Sequence, residues 1–344
     1  MSDNYQRIIE TLAECKRVLV TTHVRPDGDA IGTSAALVLG LKKVGIDAEV
    51  LLLSHLPRKY AFVFEENAIP FIDAEKEWSP HLAPREYTRG DRLFNGYDAL
   101  LVADTGTWSQ LPALRERVLN WPGPKIVLDH HLTQEDWATH KLVIPEAAAA
   151  GEIAAELLEQ WDVEIDAAIA SCLFVAIASD TGWFQFANTR PFTMPLAATL
   201  MEKGVDTDRL YQLLYQNERA ERVALQARAL QSLELLAGGR VAVMTITKQD
   251  FADTKAGVPD TENLINVPLQ IRTVEVSVLL VEPIDFGPVR VSFRSKGQVD
   301  VAQFAEQFGG GGHARASGAK VEGTIHAARE QVVSRLLAQL NSAR

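Results

Sequence analysis

Short apolar runs alternate with longer segments of helical period through the first half of the chain. Residues 18–21 form a compact apolar run that reads as a buried strand, and 30–44 reads as the helix that follows it. Residues 48–53, 99–103 and 125–128 repeat the strand pattern, the last two closing on polar residues. Segments 147–161, 167–179 and 191–203 carry helical spacing. Strands separated by helices predict an α/β fold built on a doubly wound, mainly parallel sheet with helices on both faces.

A long, charge-rich helical pattern covers 207–237 and stops at Gly238-Gly239. Beyond it, 241–246, 274–281 and 289–293 are β-branched strands, while 299–308 and 324–340 read as helices. The expected organisation is a first domain over 1–205, a helical connector over 206–237 and a smaller α/β domain over 238–344. A length of 344 residues agrees with more than one core, since single cores rarely grow past roughly 250–300 residues.

Composition narrows the class. Hydrophobic content of 47% with 23% charged residues is that of a globular protein. Met1 to Gln6 is polar, without the layout of a signal peptide, and the apolar run 167–178 is shorter than the ~20 residues a membrane span needs. Cys15 and Cys172 form no C-x-x-C pair, so a reducing cytoplasm is expected. The net charge of −11 argues against coating long nucleic acid but leaves room for a small anionic substrate.

Four polar clusters sit at the ends of apolar segments: His23-Val24-Arg25-Pro26-Asp27-Gly28-Asp29, Asp104-Thr105-Gly106, Asp129-His130-His131 and Asp180-Thr181-Gly182. In an open parallel sheet, ligands bind beyond the carboxyl ends of the strands, where three of the clusters would converge. Each has a plain alternative: Pro-Asp-Gly is a common turn, Asp180 could end a helix, and tandem histidines are often incidental. Four together share no such explanation. Gathered carboxylates repel one another unless a cation joins them, and carboxylates with imidazoles are ligands that manganese-type ions accept. In the second domain, Gly309-Gly310-Gly311-Gly312-His313-Ala314-Arg315 could bring backbone amides to an anion, and Arg294-Ser295-Lys296 ends a strand with two cations.

These motifs, in this order, resemble the DHH phosphoesterases, in particular the RecJ-like branch containing the nanoRNase (oligoribonuclease) and phosphoadenosine-phosphate phosphatase proteins. His-x-x-Pro-Asp-x-Asp stands at 23–29, the name-giving triplet at 129–131 and the C-terminal glycine signature at 309–313. The resemblance implies a hydrolase with two divalent ions, manganese foremost. His23, Asp27 and Asp104 would hold one, and Asp29, Asp104, His130 and Asp180 the other. Asp129 would orient an imidazole. Asp104, His131 and His313 would take catalytic roles, and Arg294, Ser295, Gly309, Gly310, Gly311, Gly312 and His313 would bind substrate. Arg315 joins them here on charge and position. The implied substrates are short RNA or DNA oligonucleotides and nucleotide phosphates such as 3′-phosphoadenosine 5′-phosphate. A homodimer is implied by the likeness alone. The alternatives are a cyclic-dinucleotide phosphodiesterase and, in another class, a non-catalytic nucleotide sensor. One departure stands out: Ala147 to Ala150 precede Gly151-Glu152, where the family often carries a hydroxyl residue.

Overall fold

The computed structural model describes residues 2–74, 94–112, 114–297 and 299–342. The chain divides into two compact units, Met1–Asn217 and Glu218–Arg344.

In the first unit, the described strands are β1 (Arg17–Thr21), β2 (Asp47–Leu52), β3 (Phe71–Asp73), β4 (Ala99–Ala103), β5 (Lys125–Asp129) and β6 (His140–Val143). They form one parallel sheet in the order β3-β2-β1-β4-β5-β6. The runs are apolar throughout because both faces are covered. Val18, Val20, Leu101 and Ile126 enter one core, while their neighbours Leu19, Leu100, Val102 and Val127 enter the other. That is the two-residue alternation of a strand, with no polar face left.

The larger core lies beneath α1 (Ser2–Ala13), α2 (Gly28–Lys43), α5 (Ala150–Gln160), α6 (Ala167–Asp180), α7 (Thr193–Glu202) and α8 (Thr207–Tyr215). Between α2 and α5 the chain also forms α3 (Ala61–Glu66) and α4 (Arg115–Leu119). Helix α6 is apolar around most of its circumference, with Ile169, Leu173, Phe174, Val175 and Ile177 all buried, as befits a helix enclosed on most sides. It lies against α2. Gly32 of α2 permits the close approach: a Cβ there would sit 2.4 Å from the Cys172 carbonyl oxygen.

The second unit holds a sheet of six described strands. They are β7 (Glu234–Leu236), β8 (Val241–Ile246), β9 (Val276–Val281), β10 (Val289–Ser295), β11 (Gly311–His313) and β12 (Ala316–Val321). The order is β11-β12-β10-β9-β8-β7, with β8 and β9 parallel and the other pairs antiparallel. Helices α11 (Val301–Glu306) and α12 (Ile325–Ser342) cover one face through Val301, Phe304, Val332 and Leu336. Helices α9 (Ala220–Gln231) and α10 (Lys248–Thr254) share a second core with Met244, Ile246, Leu279 and Val281.

The single helical stretch expected over 207–237 is instead α8, α9 and the edge strand β7. The apolar residues of its two helices serve different cores: Leu210 and Leu214 are buried in the first unit, Leu225 and Ala229 in the second. Periodicity alone did not show that the stripe changes partner. Among the described residues, no helix is long and apolar enough to cross a membrane.

Candidate active site

The sheet of the first unit grows in opposite directions from β1 and β4, so their carboxyl ends flank the crevice where such sheets take ligands. His23 follows β1, and the left-handed backbone at Arg25 (φ 55°) folds the chain back into α2. Asp27 caps that helix, its Oδ1 accepting from the amides of Asp29 and Ala30, each at 3.1 Å. Asp104 follows β4 in left-handed backbone (φ 61°), which aspartate tolerates better than most residues. Asp129 closes β5, and Asp180 closes α6.

These elements bring all six expected ligands together. Two groups have ligand atoms within 4.8 Å of one another: His23, Asp27 and Asp104; and Asp29, His130 and Asp180. Asp104 also meets the second group, its Oδ1 lying 3.4 Å from His130 Nε2. A third group of that compactness joins Asp104, His130 and His131. Among the described residues, the buried Asp104 Oδ1 has no hydrogen-bond partner, a costly state for a carboxylate oxygen unless a cation meets it.

The histidines are oriented for the same purpose. Nδ1 of His23 faces the Val24 carbonyl at 3.0 Å, and Nδ1 of His130 faces the Ala147 carbonyl at 3.1 Å. A ring that donates from Nδ1 turns the Nε2 lone pair into the cluster, the usual arrangement of a metal-binding imidazole. That lone pair then faces carboxylate oxygens at 3.4 Å, for His23 as for His130. Acceptor against acceptor is tolerable only with a proton or a cation between them.

Charge state follows from this crowding. Burial pulls His23 and His130 down, but the surrounding carboxylates, Asp104 foremost, prevail and push each up to about 10. Burial pushes Asp180 up to about 6, with His130 opposing and Asp104 adding to it. Burial and the charge of Asp104 hold Asp29 well above its ordinary value. Asp27 stays low: burial raises it, but the neighbouring His23 imidazole together with the amides of Ala30 and Asp29 outweighs that. The acidic and histidine side chains are positioned for metal binding, and the donor set fits hard divalent cations.

Asp129 lies behind this layer. Its Oδ1 accepts from the amides of His130 (2.8 Å) and His131 (3.1 Å) and from His131 Nδ1 (2.7 Å), and its Oδ2 accepts from Gln134 Nε2 (2.5 Å). It therefore orients the His131 ring, which is more than half exposed. The hydrogen bond to Asp129 raises the pKa of His131, opposed by burial.

Several supporting groups carry no motif. Fully buried Asp29 accepts from Thr33 Oγ1 (2.9 Å) and from the amides of Ala150 (2.6 Å) and Gly151 (3.0 Å). It thus supplies the anion at the N-terminus of α5, where Ala149 has no side-chain cap to offer. The missing hydroxyl before Gly151 is compensated from a distant helix. Glu152 accepts from the Ala148 amide and from Arg190 and Thr193. The Gly151-Glu152 pair was the only sequence signal for this layer.

In the second unit, the sheet register sets His313, Ala316, Arg294 and Ser277 in one row. Arg294 is half-buried, and its pKa is lowered by that burial. Among the described residues its guanidinium donates only to the Phe293 carbonyl. Ser295 is buried and its Oγ accepts from the Gly297 amide. The guanidinium of Arg315 lies beside Gly297. Gly309 to His313 is not one free loop: Gly310 and Gly312 are needed where the chain passes β12, since a Cβ would meet the carbonyl oxygens of Gly318 at 2.2 Å and Ala316 at 2.5 Å. Gly309 and Gly311 face open space, and His313 and Arg315 are exposed.

The doubly wound sheet with its DHH cluster, followed by a smaller mixed-sheet unit, defines a phosphoesterase. Residues 17–177 match the model for the DHH family, N-terminal domain, and 238–343 match that for the DHHA1 domain. The chain belongs to the DHH phosphoesterase family, in its nanoRNase and PAP phosphatase type, and is a hydrolase. The bifunctional oligoribonuclease and PAP phosphatase NrnA of Thermus thermophilus is 31% identical over 335 residues, covering 95% of this chain and 91% of that protein. An exopolyphosphatase-related protein from Bacteroides fragilis shares the fold with a TM-score of 0.84 at 24% identity, over 99% of this chain and 98% of that one. RecJ from Thermus thermophilus, solved in complex with Mn2+, gives a TM-score of 0.52 at 17% identity, over 98% of this chain and 54% of that one.

Proposed function

We propose that this hydrolase degrades short oligonucleotides, RNA or DNA down to dinucleotides, and dephosphorylates 3′-phosphoadenosine 5′-phosphate, using two divalent cations of which manganese is preferred. The observation that carries this reading is the buried Asp104 Oδ1, without a hydrogen bond among the described residues, beside two compact groups of possible ligands. His23, Asp27 and Asp104 would hold one ion, and Asp29, His130 and Asp180 the other, with Asp104 reaching both. When bound, the ions supply Lewis acidity and activate water for in-line displacement at phosphorus. The manganese in the Thermus RecJ structure and the oligoribonuclease and PAP phosphatase activities for which the Thermus relative is named support this choice of ion and substrate.

The chain's own residues then divide the work. His131, exposed and backed by Asp129, offers an N–H to a substrate phosphate. Arg294 has donors to spare for an anion, and His313 stands two strands away in the same row. With Gly309, Gly311 and Arg315 they form the proposed recognition surface. Gly310, Gly312 and Ser295 shape it through backbone packing and a turn. Two buried free thiols, Cys15 and Cys172, fit a cytoplasmic location, and a homodimer is carried over from the family likeness.

The test is a substrate panel with added Mn2+: linear dinucleotide, cyclic dinucleotide, 3′-phosphoadenosine 5′-phosphate and pyrophosphate, with products resolved by length. Linear dinucleotide and phosphoadenosine phosphate are the expected substrates, and Asp104→Ala should abolish both activities. Full activity in Asp104→Ala would sink the two-ion reading. Preference for the cyclic dinucleotide would replace the substrate assignment.

A further inference from the structure

Beyond Asp180 the chain makes a turn that sequence propensity does not favour. Gly182, Trp183 and Phe184 all adopt left-handed backbone, with φ of 57°, 60° and 65°. Only the glycine does so without steric penalty, and two aromatic residues there must be held by their surroundings. They are. The Trp183 amide donates to the Ala178 carbonyl (2.6 Å), the Phe184 amide donates to Thr181 Oγ1 (3.0 Å), and both rings pack on Phe174.

The turn returns the chain so that Asn188 lies against the helix end it has just left. Asn188 Nδ2 is within hydrogen-bonding distance of three acceptors: the Ala148 carbonyl (2.9 Å), the Asp180 carbonyl (3.1 Å) and Asp180 Oδ2 (3.2 Å). All three are oxygens that cannot donate, so chemistry fixes which end of the amide faces them. Ala148 is itself clamped, since its amide donates to Glu152, the partner of Arg190.

The segment 147–151 therefore reaches three expected ligands from one short stretch of backbone. The Ala147 carbonyl receives His130 Nδ1, the Ala150 and Gly151 amides hold Asp29, and the Ala148 carbonyl is joined to Asp180 through Asn188. His130 and Asp29 are tied to it directly. Among the described residues, Asp180 is tied to it only by way of the Asn188 amide.

We infer that Asn188 is a positioning residue: it fixes the Asp180 carboxylate on the 147–151 segment, so that the Asp29, His130 and Asp180 group can close on a cation. The inference rests on the metal reading above. It touches one ligand group only, since no hydrogen bond of Asn188 reaches His23, Asp27 or Asp104.

Mn2+ binding to wild type and Asn188→Ala, followed by calorimetry and electron paramagnetic resonance, tests it. Wild type should take up two ions. Asn188→Ala should bind one with unchanged affinity and the other about 10–100-fold more weakly, the usual effect of losing a group that orients a ligand. Its spectrum should turn from that of a spin-coupled pair to that of an isolated ion. Asn188→Ser, which keeps a shorter donor, should recover part of the lost affinity and stands in if the alanine variant does not fold. Two ions bound within twofold of wild type would overturn the inference, as would equal weakening of both sites. Absence of any bound cation in wild type would overturn the metal reading itself.

Discussion

Replacing Gly32 by alanine probes how tightly α2 and α6 must approach for the cluster to exist. A Cβ at Gly32 would lie 2.4 Å from the Cys172 carbonyl oxygen, 2.8 Å from the Ala176 amide nitrogen and 3.0 Å from Ala176 Cβ. Ordinary contact begins at 3.4 Å, so the helices must part by 3.4 − 2.4 = 1.0 Å at this crossing. The obstructing atoms are backbone and cannot swing aside. Overpacking of this kind costs about 1–3 kcal/mol, and the helix propensity gained from Gly→Ala returns about 1 kcal/mol. The expected net loss is about 0–2 kcal/mol, read as a lower urea midpoint. Function should suffer more than stability. Asp29 lies one turn from Gly32 on α2, and Asp180 one turn from Ala176 on α6. A displacement of about 1 Å between reacting groups can cost on the order of 10²-fold in rate. Gly40→Ala is the control: the three atoms nearest its Cβ all belong to the Leu158 side chain, the closest being Cδ2 (2.4 Å), the far end of a side chain rather than backbone. That variant should keep its midpoint and its activity. Should Gly32→Ala match Gly40→Ala in urea midpoint and in dinucleotide turnover, the argument from close approach is wrong.

Three further outcomes are expected. Protein stripped with chelator and then returned to Mn2+ at a hundred times its dissociation constant should gain about 2.7 kcal/mol, a rise of about 5–10 °C in melting temperature for a unit of this size; an unmoved melt would mean the cluster takes no cation. The stripped protein should also lose stability as pH rises. His23 and His130 are pushed up to about 10 when folded, against about 6.5 unfolded, so their contribution is complete below pH 6.5 and is lost towards pH 10. Asp180, at about 6 when folded against about 3.9 unfolded, loses its contribution as pH rises through 6. Melting temperature should therefore fall from pH 6 to pH 9 in stripped protein and stay nearly level with Mn2+ bound; a stripped protein with a level profile contradicts the charge assignment. Arg294→Ala should raise KM for phosphorylated substrates by about tenfold, the loss of one charge-assisted hydrogen bond, while metal stoichiometry holds. Unchanged KM would remove Arg294 from the recognition surface.

The four central strands of the parallel sheet and the convergence of the six expected ligands were legible because β1, β2, β4 and β5 each carry an apolar run and each polar cluster sits where an apolar element ends, whereas the short edge strands β3 and β6 carry too few apolar residues to stand out. His23, Asp104 and Asp129 follow β1, β4 and β5 as that grammar requires. Asn188, Thr33 and Gln134 were not legible, because their roles depend on where backbone carbonyls and amides of remote segments arrive. Asp29 shows the same limit from the other side. As a residue it was conspicuous, but that it caps α5 was hidden, since the cap and the capped helix lie far apart in the chain. The glycine run was read as amides free to meet an anion. Gly310 and Gly312 answer instead to the crowding against β12, which only the strand pairing reveals.

Apart from a narrow strip at Ala167, Ala168 and Ser171, helix α6 has no side that tolerates water, so it has no stable existence outside its socket. Its order in the chain is then consequential. The strands of the sheet, together with α2 and α5, are all synthesised before residue 167, and most of the surface that α6 must cover is present when the ribosome releases it. A circular permutant beginning at Ala167 would reverse that sequence of events and leave a fourteen-residue greasy rod waiting for its partners. Such a chain would face aggregation during synthesis even though its finished structure could be the same.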